Sequence, residues 1–213
     1  MGVQPRYAMV IDAAKCFNCK ACIIACQLEN DVPPYFQRNW LTKPEIEPRG
    51  LLDFQPGNCM QCDEPSCVAA CPVAGATFKA KNGLVLIDPK VCINCGNCIP
   101  ACPYGARFRH PTKLVADKCD FCQHRLKRGL EPACVVVCPT KTRVFGDLND
   151  PSSRVSRLLK QGGLVRVINP KVDTQPNIYY TEGTEPVTWP EEPTLPGDVH
   201  MSPSFWKKIR VQV

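Results

Sequence analysis

The sequence predicts an α+β protein with short strands, short helices and many loops, organised as two related small units. The chain has 213 residues, among them 16 cysteines in four groups of four and 22 prolines. Proline fixes φ and lacks a backbone donor, so this many prolines limit the length of regular elements. A segment from Ile11, IDAAKCFNCKACIIAC, aligns with IDPKVCINCGNCIPAC from Ile87. This repeat indicates two similar units, each containing two cysteine groups.

The cysteine spacing is regular. Groups one and three have the spacing C-x2-C-x2-C-x3-C, group two has C-x2-C-x4-C-x3-C, and group four has C-x2-C-x11-C-x3-C. A proline follows the last cysteine of groups two, three and four. In sequence order the groups are Cys16, Cys19, Cys22 and Cys26; Cys59, Cys62, Cys67 and Cys71; Cys92, Cys95, Cys98 and Cys102; and Cys119, Cys122, Cys134 and Cys138.

Three interpretations of these cysteines compete. A disulfide framework suits small secreted chains, but it gives no reason for one spacing to recur. Structural zinc usually takes its thiolates from two separate C-x2-C knuckles. The run C-x2-C-x2-C-x3-C-P is that of bacterial ferredoxins, in which the fourth cysteine binds the other [4Fe–4S] cluster of a pair. We therefore predict [4Fe–4S] clusters in ferredoxin-like units, and simple sequential pairing would join group one with two and group three with four.

Local patterns place these groups between short elements. The segments YAMVID (7–12) and LVLID (84–88) predict strands that lead into cluster loops. The segments ACIIACQLEN (21–30) and CIPACPYGA (98–106) predict short helices that carry the fourth cysteines. Since no proline follows Cys26, the first of these helices is expected to continue through QLEN.

The C-terminal part contains fewer regular elements. Asp150 and Pro151 predict the N-cap and first residue of a helix, PSSRVSRLLKQ, that ends at Gly162. The segments LVRVI (164–168) and NIYYT (177–181) predict strands. The segment from about 183 is rich in Pro, Glu and Thr, which predicts an arm that is extended on a partner or partly disordered.

Several function classes are excluded by composition and motif. No apolar run approaches the roughly 20 residues of a membrane span, and the N-terminus lacks the apolar core of a signal peptide. The formal net charge is +6. Four clusters with their thiolates would add roughly −8, so the basic excess is interpreted as local compensation and not as a nucleic-acid site. With no hydrolase triad, phosphate loop or H-E-x-x-H motif, we expect electron transfer without bond chemistry in this protein.

The remaining ionisable residues are expected to be structural. His110, His124 and His200 are expected at surface or hydrogen-bonded positions, with a position of His110 near the end of the electron path as the alternative. The cations of the segment after group three are most simply a solvated face, which could instead raise a cluster potential or bind an acidic partner; they are Arg107, Arg109, Lys113 and Lys118.

The sequence resembles the four-cluster iron–sulfur electron-transfer (beta) subunits of the DMSO-reductase superfamily of molybdopterin oxidoreductases. Polysulfide, thiosulfate, tetrathionate and DMSO reductases are the nearest types. The resemblance covers roughly residues 6–169 and rests on the order of the four cysteine groups. It also rests on RYAMVIDAAKCFNCKAC (6–22), NGLVLIDPKVCINCGNCIPACPYGARF (82–108), DKCDFCQHRLKRGLEPACVVVCPT (117–140) and FGDLNDPSS (145–153).

The resemblance implies nested pairing, in which group one pairs with group four and group two with group three. Cys95 is present at the position where some relatives carry a [3Fe–4S] centre, so four [4Fe–4S] clusters are expected. The implied ligands are Cys16, Cys19, Cys22 and Cys138 for cluster 1; Cys119, Cys122, Cys134 and Cys26 for cluster 2; Cys59, Cys62, Cys67 and Cys102 for cluster 3; and Cys92, Cys95, Cys98 and Cys71 for cluster 4.

Nested pairing also implies the domain organisation. An inserted ferredoxin-like domain, residues 51–111, would interrupt an outer one formed by 1–50 and 112–169. The extended C-terminal arm would comprise residues 170–213. The fold expected from the resemblance is thus two interleaved ferredoxin-like domains and an arm.

The function implied by the resemblance is electron relay in an anaerobic respiratory complex. Cluster 1 would face a molybdopterin catalytic subunit, and cluster 4 would lie near a quinone-reactive membrane subunit. The alternatives are the iron–sulfur (beta) subunit of a formate dehydrogenase or hydrogenase complex and a free polyferredoxin-type carrier. The protein is expected to meet the membrane only through partners, and export with a signal-bearing partner to the periplasmic face is favoured over a cytoplasmic location.

Overall fold

A computed structural model describes residues 4–42, 54–169 and 172–183. The strands in these ranges are β1 (Tyr7–Ile11), β2 (Asn39–Thr42), β3 (Gln55–Asn58), β4 (Thr77–Lys79), β5 (Val85–Ile87), β6 (Phe108–Arg109), β7 (Ala116–Asp117), β8 (Arg143–Asp147), β9 (Leu164–Arg166) and β10 (Ile178–Thr181). The helices are α1 (Ala21–Asn30), α2 (Ser66–Ala69), α3 (Gln123–Leu126), α4 (Ala133–Val136) and α5 (Arg154–Gln161).

The largest sheet contains four strands in the order β8-β1-β10-β9. Strand β1 pairs antiparallel with β8 and parallel with β10, so it lies inside the sheet. Alternate residues of β1 point to opposite faces. Ala8 and Val10 pack with Val155 of α5, whereas Met9 and Ile11 face the main core. Because both faces are covered, YAMVI is apolar throughout instead of alternating with polar residues.

Three antiparallel pairs connect successive cysteine groups. Strands β2 and β3 pair between groups one and two, β4 and β5 between groups two and three, and β6 and β7 between groups three and four. The β1–β8 pair joins the strand before group one to the strand after group four. Short strands therefore bring the beginning and end of the cysteine region together.

The main core combines apolar side chains with cysteines from several groups. Trp40, Met60, Leu84 and Phe121 are almost fully buried in this core. Trp40 lies directly over Gly57, its partner in the β2–β3 pair. The loops are thus anchored on a small number of large side chains.

Most predicted elements are present. The strand predictions for 7–12 and 84–88 are confirmed by β1 and β5, and α1 continues through QLEN as expected. Strand β10 confirms the prediction for 177–181, whereas only Leu164–Arg166 of the predicted 164–168 strand is formed.

Two helix predictions need correction. The segment CIPACPYGA forms turns and not a helix, because Pro100 and Pro103 cannot donate helical hydrogen bonds. Helix α5 begins three residues later than predicted, after the N-cap Ser153. The carboxylate of Asp150 instead accepts from the backbone and hydroxyl of Ser152, which stabilises a turn before the helix. Gly162 ends α5 as predicted.

Part of the predicted arm, 170–213, belongs to the sheet. Strand β10 pairs with β1 and β9, and Tyr180 is fully buried with its hydroxyl donating to the Pro56 carbonyl. Residues 170–171 and 184–213 of the predicted arm lie outside the described residues. In the ranges described, the structure contains no helix of the length and hydropathy that a membrane crossing requires.

Candidate iron–sulfur sites

One cavity collects cysteines from both ends of the cysteine region. Three cysteines of group one and the last of group four line it, and about 330 Å³ inside it is free of protein atoms. Strand pairing explains this meeting, because β1 leads into group one and β8 follows group four. The four cysteines are those implied for cluster 1: Cys16, Cys19, Cys22 and Cys138.

A second cavity of similar size collects the cysteines implied for cluster 4. About 350 Å³ inside it is free of protein atoms. Strands β4 and β5 form the connection that returns group three to the end of group two. The lining cysteines are Cys71, Cys92, Cys95 and Cys98.

The cysteines implied for cluster 2 are buried together. The side-chain amide of Asn30 lies 3.5 Å from the Cys26 sulfur and 3.6 Å from the Cys122 sulfur. Burial raises the pKa of the Cys26 thiol, and the neighbouring Cys134 and Cys122 raise it further. Burial likewise raises the pKa of Cys119 well above its usual value, with Cys26 as the next cause. Helix α1, which packs against α4, brings Cys26 to the group-four cysteines.

The cysteines implied for cluster 3 also influence one another. Burial raises the pKa of Cys102 to about 12, followed by the proximity of Cys59 and Cys67. The pKa of Cys62 is raised first by burial and then by Cys59, with Cys102 contributing as well. A thiol binds iron as the thiolate. The positive charge of iron must therefore offset the free-energy cost of burying the charged sulfur.

Three buried cations lie among these cysteines. Arg107, Lys118 and Arg143 are 1%, 2% and 2% exposed. Arg143 donates to the Asn58 side chain and the Gly57 carbonyl, and Lys118 donates to the carbonyls of Val85 and Cys119. Arg107 donates to Thr77 Oγ1, whereas its Nε and Nη1 have no partner of normal geometry in the described protein. Within the described ranges, none of the three forms an ion pair with a carboxylate.

These cations provide a test of whether a cluster fits. A buried charge without a counter-ion costs several kcal/mol. A [4Fe–4S] cluster with four thiolates is anionic, with a net charge of roughly −2. Arg107 and Arg143 line the two cavities, so an anionic group there would supply the missing counter-charge. The cysteine linings of the two cavities and the buried arginines beside them therefore fit the predicted clusters.

The cationic segment after group three needs a partial correction. Arg107 and Lys118, expected on a solvated face, are buried, because the β6–β7 hairpin turns them toward the cysteines. Arg109 and Lys113 are exposed as predicted. Arg143 was not singled out from the sequence. The signal that could have found it is its position five residues after Cys138, which matches Arg107 after Cys102.

The two histidines within the described ranges are hydrogen-bonded, as predicted. His110 is 1% exposed, and its Nδ1 accepts from the Lys113 backbone N–H at 3.1 Å. His124 lies 2.7 Å from the Glu29 carboxylate, which also binds Arg125. These contacts give both histidines a structural role, and His200 lies outside the described residues.

The fold and the cysteine sites define an iron–sulfur protein of the dicluster class. Two profiles of the 4Fe-4S dicluster domain match the protein, over residues 51–148 and 15–76. Similar proteins include the B subunit of tetrathionate reductase from Archaeoglobus fulgidus, 46% identical over 84% of this chain and 83% of that protein. The corresponding subunit from Salmonella typhimurium is 40% identical over 82% and 72%. The B subunit of polysulfide reductase from Wolinella succinogenes is 39% identical over 82% and 93%.

The chain therefore belongs to the iron–sulfur electron-transfer subunits of the molybdopterin oxidoreductases. This confirms the family predicted from the cysteine groups and the four flanking segments. It also confirms the prediction of [4Fe–4S] clusters and of two ferredoxin-like dicluster domains in a loop-rich protein.

Proposed function

We propose that this protein holds four [4Fe–4S] clusters with nested ligands and relays electrons between a molybdopterin catalytic subunit and a quinone-linked membrane subunit. The observation that carries the proposal is the cavity in which Cys16, Cys19 and Cys22 meet Cys138, more than a hundred positions further along the sequence. Sequential pairing of group one with group two gives no reason for that meeting. The cavity that joins Cys71 to group three supports the same nested scheme.

Exposure supports a path that runs from cluster 1 through clusters 2 and 3 to cluster 4. The four cysteines implied for each cluster are called the site of that number. Cys19 and Cys95 are the exposed cysteines, and they belong to sites 1 and 4. All four cysteines of site 2 are buried, as are three of the four at site 3. The terminal sites also border exposed apolar side chains, Phe17 at site 1 and Ile93 at site 4. Apolar surface beside an electron-exchanging group suits contact with a partner subunit.

The proposed reaction is one-electron relay. The clusters would supply one-electron chemistry, so that electrons would pass singly between the membrane subunit and the catalytic subunit, and the two-electron reactions of quinone and substrate would take place in those partners. The described residues contribute the ligands, the burial and the nearby charges that set each potential. Relatives named for tetrathionate and polysulfide share this type of subunit, so the catalytic partner is proposed to select the substrate.

Iron counting on alanine variants of the purified complex tests the nested ligands. The wild-type protein should contain about 16 iron atoms and as many labile sulfides. Cys102→Ala should remove about one cluster, roughly 4 iron atoms. Adding Cys59→Ala should remove no more, because both residues serve cluster 3, whereas adding Cys92→Ala should remove a second cluster. The opposite pattern would show that Cys102 serves the cluster beside it in sequence.

Co-purification tests the relay. The native protein should elute with a large molybdenum-containing subunit, and dithionite-reduced clusters in that complex should be reoxidised when the substrate of the partner is added. A protein that is isolated alone, with clusters that no partner reoxidises, would instead be a free carrier.

A further inference from the structure

The three buried cations occur at intervals that match the proposed path. Arg143 borders sites 1 and 2, Lys118 borders sites 2 and 3, and Arg107 borders sites 3 and 4. They are among the largest fully buried side chains of the described protein, and no carboxylate pairs with them there. Buried cations are expensive, so three of them beside successive anionic sites require a common explanation.

Arg143 lies between the two sites of the outer pair. Its guanidinium lines the site 1 cavity. Strand β8, which begins with Arg143, packs against α4, which carries Cys134 of site 2. Donation to Asn58 and Gly57, both in β3, fixes the guanidinium in this position. The positive charge of Arg143 lowers the pKa of the Cys134 thiol, whereas burial raises it.

Arg107 occupies the equivalent position in the inner pair. It lines the site 4 cavity and donates to Thr77 at 2.9 Å. Strand β4, which begins with Thr77, packs against α2, which carries Cys67 of site 3. The Nε and Nη1 atoms of Arg107 have no hydrogen-bond partner in the described protein and would be able to donate to the sulfur atoms of a bound cluster.

Lys118 connects the two pairs. Its ammonium donates to the carbonyl of Cys119, a site 2 cysteine, at 2.9 Å. It also donates to the carbonyl of Val85, and the Val85 side chain packs with Cys67 of site 3 and Cys98 of site 4. The ammonium therefore stands at the junction of the outer and inner units.

We propose that Arg143, Lys118 and Arg107 occupy the three intervals between successive clusters, where each raises the reduction potentials of both neighbouring clusters. The inference rests on the proposed ligand sets. Adding an electron makes a cluster more negative, so a nearby buried cation stabilises the reduced form more than the oxidised form. A cation between two clusters acts on both, and therefore raises their potentials without favouring electron flow in one direction.

Potentiometric titration of the intact complex, followed by EPR, tests this assignment. The variants are Arg143→Leu, Lys118→Met and Arg107→Leu, with Arg157→Leu as the control because Arg157 is exposed on α5. Each of these three variants, but not the control, should lower the reduction potentials of two of the four clusters. Each potential should fall by about 59 mV or more, which corresponds to a tenfold change in the one-electron equilibrium constant. The two leucine variants should affect complementary pairs of clusters, and Lys118→Met should affect one cluster from each pair.

Charge-retaining variants separate charge from packing. Arg143→Lys and Arg107→Lys should keep all four clusters and potentials close to those of the wild type. The proposal is overturned if the leucine variants hold four clusters at unchanged potentials, or shift the potentials of all four clusters equally, or if the lysine variants lower the same potentials as far as the leucine variants do. The iron content of the wild type tests the ligand proposal separately, since a wild-type protein with fewer than four clusters would refute that proposal before any potential is compared.

Discussion

Replacement of Arg38 by methionine should selectively weaken site 2. Its guanidinium binds the Asp117 carboxylate through two nitrogens, at 2.7 and 3.1 Å, and lies 3.4 Å from Asp120. The same guanidinium donates to Asn30 at the end of α1, at 2.9 Å. Asp120 in turn accepts from the backbone N–H of Cys122. The Arg38 side chain thus connects the helix that carries Cys26 to the loop that carries Cys119 and Cys122, two of the other site 2 cysteines.

The expected loss follows from the burial of this ion pair. The side chains of Arg38 and Asp117 are 14% and 10% exposed. Removing one partner of a fully buried pair costs about 3–5 kcal/mol. The pair retains some solvent contact, and Asp117 keeps the N–H of Lys118 as a donor, so about 2 kcal/mol is expected here. If that loss falls mainly on the unfolding barrier, unfolding accelerates by roughly 30-fold.

The assay is the rate of cluster loss in guanidinium chloride, followed by the visible absorbance of the iron–sulfur centres. A rate is the proper measure because unfolding with loss of a cofactor is irreversible. Lys113→Met provides the control, since the Lys113–Asp31 pair is 45% and 90% exposed and should change the rate by at most a few-fold. Equal rates for the Arg38 and Lys113 variants would refute the argument that burial makes the difference.

Two further substitutions test the packing and the charges around the sites. Gly57→Ala should lower the barrier to unfolding by about 1–3 kcal/mol, because the new Cβ would lie 2.4 Å from Trp40 Nε1. The rate of cluster loss in guanidinium chloride should rise, and the rise should be smaller in a Trp40→Leu background; equal rises in both backgrounds would contradict the steric explanation. Burial alone would raise the pKa of Asp63, but hydrogen bonds from Lys79 and Asn177 and the charge of Arg6 hold it below its usual value. A carboxyl with a lowered pKa stabilises the fold above its unfolded-state pKa, about 3.9, and this contribution is lost as pH falls through the folded pKa. Asp63→Asn should therefore lower the barrier to unfolding by about 1 kcal/mol at pH 7, measured by stopped-flow unfolding. The difference in barrier between the variant and the wild type should become smaller below about pH 4. A difference that does not change with pH would exclude the Asp63 charge as its cause.

Local chemistry explains what the sequence could predict. Cluster ligands follow short fixed spacings, so the cysteine groups were recognisable without tertiary information. Strand β1 is a compact apolar run, and α1 continues because no proline follows Cys26. The helix predicted for 98–106 does not form because two of its residues, Pro100 and Pro103, cannot donate helical hydrogen bonds. The β1–β10 pairing joins positions far apart in the sequence, and no local pattern specifies such a pairing.

The burial of Arg107, Lys118 and Arg143 could not be predicted from local sequence patterns, for a similar reason. Arg107 and Arg109 are two residues apart, yet the first is 1% exposed and the second donates to the Cys95 carbonyl from the surface. The difference in exposure between the two arginines depends on the arrangement of the cysteine sites around them. Arg107 and Arg143 both stand five residues after a cysteine that is proposed to serve the other cluster of its pair, once in each unit. In the proposed ligand scheme, a requirement that recurs at the same position in both units would belong to the cluster pair itself. The requirement that Lys118 meets, in the proposed connection between the units, would arise only when two pairs are joined.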